Sequence, residues 1–82
     1  MENRYLVFKL VEEKRKTKVW VVRESRDGDI LGTIQWYSPW RQYVFETFID
    51  TIFSWDCLKA ISKFLKKVNL EHRRKGELKR RG

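Results

Sequence analysis

The chain has 82 residues, 41% hydrophobic and 37% charged, with a formal net charge of +8. That length holds one domain around one small core, and no run of about 18 apolar residues is present to span a bilayer. A lone cysteine, Cys57, excludes an internal disulfide.

The opening Met1-Glu2-Asn3-Arg4-Tyr5 lacks the basic region, long apolar segment and cleavage site of a secretory signal, so a cytoplasmic location is expected. Residues 4–11 then read as a first strand, short and rich in β-branched and aromatic side chains. Polar residues 12–16 read as a loop. Thr17 to Arg23, centred on Val19-Trp20-Val21-Val22, is a second strand. Asp27-Gly28 supplies the positive φ that a tight hairpin requires. Ile30 to Tyr37 is a third strand, and its Gly32 predicts a bulge or the close approach of another backbone.

Ser38-Pro39 turns the chain, because proline donates nothing to a sheet ladder. Arg41 to Phe45 reads as a fourth strand. Thr51-Ile52-Phe53 reads either as a short edge strand or as an extended lead into a helix. From Ser54, a good N-cap, the apolar period changes from two to 3.6. Cys57, Leu58, Ile61, Phe64, Leu65 and Val68 fall within roughly 120° of a helical wheel, and Lys59, Lys63, Lys66 and Lys67 within about 100° opposite them. Asn69 or Gly76 ends the helix in this reading. The fold class is therefore α+β: an antiparallel four- to five-stranded meander sheet packed by one C-terminal amphipathic helix. Residues 1–70 form the single domain, and 71–82 a flexible basic tail.

Charge is distributed unevenly. Residues 1–56 carry nine basic and nine acidic side chains, whereas 57–82 carry ten basic against two acidic, the whole of the +8. Lys59, Lys63, Lys66, Lys67, Arg73, Arg74, Lys75, Lys79, Arg80 and Arg81 have the footprint of a polyanion binder and are the candidate nucleic-acid contacts. Nothing among them suggests sequence-specific reading. A solvated helix face followed by a solubilising tail has the same composition.

The segment Gly32-x-Ile34-x-Trp36-Tyr37-x-Pro39-Trp40-Arg41-x-Tyr43-x-Phe45, then Thr51-x-Phe53 and Cys57-Leu58-x-x-Ile61, carries a pattern. It resembles a group of short, uncharacterised bacterial and mobile-element proteins with a Trp-Tyr-x-Pro-Trp-Arg-x-Tyr block before a Cys-Leu helix. The likeness covers about a third to a half of the chain. Such proteins often have an aromatic-Pro step after the strand holding the tyrosine, where Glu46-Thr47-Phe48 stands here. The resemblance implies a shared fold and no particular activity.

Pro39-Trp40-Arg41 is expected at a hairpin tip, where an exposed Trp beside an Arg suits protein contacts or the stacking of unpaired bases. Trp40 either stands out in that way or folds back over the sheet, while Trp36 and Tyr43 read as core. Both sheet faces look apolar, so the face away from the helix either docks a partner, a second copy being the simplest, or is enclosed by curling of the sheet. Trp40, Arg41, Trp20 and Tyr37 are the candidate protein-interaction residues. Cys57 reads as a small core hydrophobe, and His72 stands alone in a basic stretch without a second ligand. No catalytic residue, metal site, cofactor or membrane contact is expected. Two functions remain: a small non-enzymatic accessory protein binding nucleic acid non-specifically, or a protein-interaction module, an inhibitor or adaptor of mobile-element origin, docking through the Trp40/Arg41 tip and the open sheet face.

Overall fold

A computed structural model describes the backbone of residues 6–26 and 28–81, with side chains through Lys75. Four strands, β1 (Leu6–Glu13), β2 (Lys18–Glu24), β3 (Ile30–Tyr37) and β4 (Gln42–Thr47), precede one long helix, α1 (Trp55–Arg81). They form an antiparallel meander in the order β1-β2-β3-β4, with α1 laid across one face.

Short connections explain the order. Lys14 N–H donates to the Thr17 carbonyl at 2.7 Å to close β1–β2. Gly28, at φ +76°, closes β2–β3 with its N–H on the Glu24 carbonyl (2.8 Å), while its expected turn partner Asp27 lies outside the described residues. Gly32 does what its place in β3 suggested. A Cβ there would strike the backbone carbonyl of Glu46 and the Phe45 ring, so β4 approaches only because the side chain is absent. A register shift sits beside it, between Val22 and Arg23.

After β4 the chain leaves the sheet. Thr51 Oγ1 donates to the Phe48 carbonyl at 3.0 Å, and Asp50 adopts a left-handed backbone at φ 61°. Thr51-Ile52-Phe53 is thereby a lead into the helix and adds no strand, leaving four in the described sheet. Phe53 still packs edge-on against Phe45, centroids 5.5 Å apart. Ser54 caps α1: its Oγ accepts the Cys57 N–H at 3.2 Å, satisfying one of the helix's otherwise unpaired donors.

The pleat sends alternate side chains to opposite faces. Leu6, Val22, Ile34 and Tyr43 from the sheet meet Ala60, Ile61 and Val68 from α1 in a buried core. Phe64 stacks on Phe8 (4.3 Å, 3° between planes) and meets Trp20 edge-on at 5.1 Å. These rings remove large apolar areas from water with few residues, which is how so short a chain holds a core.

Two expectations are corrected. The helix ends neither at Asn69 nor at Gly76, because the backbone is helical through Arg81. The physical reason for its passing Asn69 lies in Asn69 and His72, which still find partners on the sheet beyond the last buried aliphatic among the described side chains, Val68. Gly82 lies outside the described residues. Nor is the open sheet face uniformly apolar: Val7, Val19, Val21 and Val44 are interspersed with Lys9, Arg23, Thr33, Gln35 and Glu46, and Gln35 Nε2 donates to Glu46 Oε1. The four valines are half-buried between these polar neighbours.

Candidate nucleic-acid interface

Asn69 sets the geometry of the site. Its Oδ1 accepts the Tyr43 N–H at 2.7 Å and its Nδ2 donates to the Tyr43 carbonyl at 3.3 Å. One side-chain amide therefore satisfies both outward backbone groups of a β4 residue, as a fifth strand would, and covers that stretch of sheet edge. The pairing fixes the height of α1 against β4. One turn further along, His72 lies over Trp36 (centroids 4.3 Å) and edge-on to Tyr43 (5.8 Å).

The β3–β4 hairpin tip faces that part of the helix. Ser38-Pro39-Trp40 form one 3₁₀ turn, and Arg41 follows in the left-handed region at φ 55°. Left-handed backbone costs a non-glycine residue about 1–2 kcal/mol. The Arg41 N–H, aimed at the carbonyls of Tyr37 (2.9 Å) and Ser38 (3.0 Å), offsets part of that cost. Trp40 is 66% exposed, so it stands away from the core, yet it is braced by Tyr37, which meets it edge-on at 5.1 Å.

Tip and helix together enclose an open cleft of about 350 Å³, lined by Trp36, Trp40, Arg41, Gln42, Asn69, His72 and Arg73. Its walls hold two indoles, an imidazole and two guanidiniums, and no carboxylate among the described residues. Guanidinium and indole are the groups that recognise phosphate and stack on planar rings.

Lys59, Lys63, Lys66 and Lys67 are exposed along α1, as are Arg73, Arg74 and Lys75; of these, Arg73 alone lines the cleft. Lys59 Nζ sits 4.9 Å above the Trp55 ring. The side chains of Lys79, Arg80 and Arg81 lie outside the described residues. Trp40 and Arg41 line the cleft, with Tyr37 behind Trp40. Trp20, read as a surface contact, is half-buried against Phe64 and Tyr43 because the pleat directs it with Val22 toward the helix. Tyr43 is core: burial pushes its phenol above the ordinary pKa of 10.0, partly opposed by the Lys18 N–H that its oxygen accepts at 3.1 Å.

Gln42, Asn69 and His72 are site residues that the sequence reading missed. A signal existed for the histidine, since His72 follows Ile61 and Leu65 by eleven and seven residues and so shares their helix face. Among the described residues no helix is long and apolar enough to cross a membrane. No family model matches this chain, and neither a curated protein nor a solved structure does.

Proposed function

We propose that this protein is a small, non-enzymatic accessory protein that binds nucleic acid without sequence preference, through the basic face of α1. One observation carries the reading: the lysines of α1 lead along the helix to Arg73, which lines with Arg41 a cleft that has no acidic group among the described residues. A net charge confined to residues 57–82, with residues 1–56 electrically balanced, suits a phosphate backbone better than a mere need for solubility. If six to ten of them meet phosphates, affinity falls about 10³–10⁵-fold between 50 and 200 mM salt. Mobility-shift titrations of the full chain at those two concentrations test this. Absence of binding at 50 mM, or binding indifferent to salt, overturns it.

A second reading, the protein-interaction module, is favoured by a different observation. Ile49, Ile52 and Trp55 are 86%, 90% and 74% exposed within seven residues of chain. Between Gln42 and Leu58 the chain holds Glu46, Asp50 and Asp56 and no Lys or Arg. A partner fitted to this loop offers an apolar pocket with a basic rim, and the cationic region of a second copy has the right charge. Light scattering of the full chain tests that occupant: mass should rise with concentration at low salt and return to monomer with Ile52→Asp. A monomer under every condition removes it.

A further inference from the structure

We infer that the cleft between the hairpin tip and α1 is a seat for a single unpaired nucleotide, so that the protein prefers single-stranded over duplex nucleic acid. The inference rests on the nucleic-acid reading above and adds the class of strand to it. Three features lead there.

Size comes first. About 350 Å³ lies at the low end of the roughly 300–1,000 Å³ of pockets that take small ligands, and suits one base with its sugar and phosphate. It admits no duplex. Within a duplex, both faces of every base are already covered by neighbouring pairs, so an indole inside a cleft has nothing to stack on.

Chemistry comes second. Trp40 presents a largely exposed ring, while the Trp36 ring already carries His72 at 4.3 Å. Trp40 is therefore the stacking platform and Trp36 a supporting wall. Arg41, adjoining that platform in the chain, and Arg73, on the helix opposite, are placed to hold the phosphates flanking a stacked base. Asn69 spends its oxygen and one N–H on Tyr43, which leaves Gln42 as the lining amide with a full set of donors and acceptors for a base edge. One amide distinguishes bases poorly, in keeping with a sequence-tolerant site.

Pre-organisation comes third. The tip is fixed by Pro39, by the paired hydrogen bonds of the Arg41 N–H and by Tyr37 against Trp40. Little freedom remains to be lost when a base arrives, and rigid aromatic platforms gain affinity in that way.

The test uses the full chain, a fluorescein-labelled dT15 strand and a labelled 15-base-pair duplex, both titrated by anisotropy at 50 mM salt. The expected result is at least tenfold tighter binding of dT15. Trp40→Ala should weaken dT15 about tenfold or more and leave the duplex within twofold, while Trp40→Phe restores most of the loss because a ring suffices. Trp40 is exposed, so circular dichroism of Trp40→Ala should match the parent. Equal affinity for the two probes, or equal losses on both with Trp40→Ala, overturns the single-strand seat and leaves general nucleic-acid binding standing. Failure to bind either probe overturns both.

Discussion

The two ends of α1 present aromatic groups in different electrical settings. Trp55, the first residue of α1, follows an apolar and acidic loop and carries the Lys59 ammonium 4.9 Å above its ring; Trp40 and Trp36, beside Arg73, line a cleft with two guanidiniums. Eighteen residues of helix, about 27 Å at 1.5 Å per residue, separate Trp55 from Arg73. Both tryptophans exposed at these ends invite contact, but the charge around each decides the class of partner. The loop's carboxylates suit a basic protein surface better than a phosphate, whereas the two guanidiniums of the cleft suit a phosphate. An exposed Trp is thus read by its neighbours.

The ends share one support, and the largest effects should come from breaking it. β3 and β4 run from one end to the other, and they approach closely at Gly32. Gly32→Ala places a Cβ against the Glu46 carbonyl, a backbone atom that moves only if the strand moves. We expect a loss of about 3 kcal/mol, seen as a lower urea midpoint, together with weakened dT15 binding and altered association at the loop. A midpoint within about 0.5 kcal/mol of the parent would contradict the close approach of β4.

Asn69→Ala should act more locally. It leaves the Tyr43 N–H and carbonyl without their amide partner, at a cost of about 1–3 kcal/mol. It also frees the helix turn that carries His72 and Arg73, so single-strand affinity should fall while the loop end keeps its behaviour in light scattering. Equal disturbance of both ends would show that Asn69 holds the whole helix in place and not the cleft alone.

The sequence made the sheet and the helix legible because each rested on a local signal: β-branched and aromatic runs in β1 and β2, the Gly28 turn, the proline at the tip, and the Ser54 cap before a 3.6-residue period. What escaped depended on contacts distant in the chain. Asn69 lies 26 residues from Tyr43, and nothing in a single sequence marks an asparagine as the surrogate for a strand. For the same reason Asn69 read as one of two ends of the helix, whereas the turn after it is anchored by His72 on Trp36. The cleft joins two segments noted separately, the Trp40-Arg41 tip and the basic helix, and only the fold brings Arg73 opposite Arg41. Burial of Trp20 was legible in principle, because it shares a face with Val22.

Alkaline pH tests the core next to the cleft. The Tyr43 phenol is held above 10.0 by burial, so the folded state binds that proton more tightly than the unfolded chain does. The associated stability is complete below pH 10 and is lost as pH rises through 10 toward the folded value. Tyr43→Phe should remove this alkaline slope. It should also cost about 0.5–1.5 kcal/mol at neutral pH, because the Lys18 N–H loses its acceptor. Thermal melts of both proteins from pH 8 to 11 would reveal it, and parallel slopes would place the titration elsewhere.

At the loop end the expected effect on folding is close to nothing. Ile52 is 90% exposed, so its side chain gains almost no burial when the chain folds, and burial is the term that makes an isoleucine stabilising. Ile52→Ser should therefore change unfolding free energy by less than about 0.5 kcal/mol, in contrast to the fully buried Ile34, where truncation to Ala costs about 2–5 kcal/mol. If Ile52→Ser instead destabilises the monomer by more than about 1 kcal/mol, the loop folds onto its own domain in solution, and its apolar surface is part of the core. If stability holds while concentration-dependent association disappears, that surface serves contact between molecules, and the acidic end and the cationic cleft are separate devices on one helix.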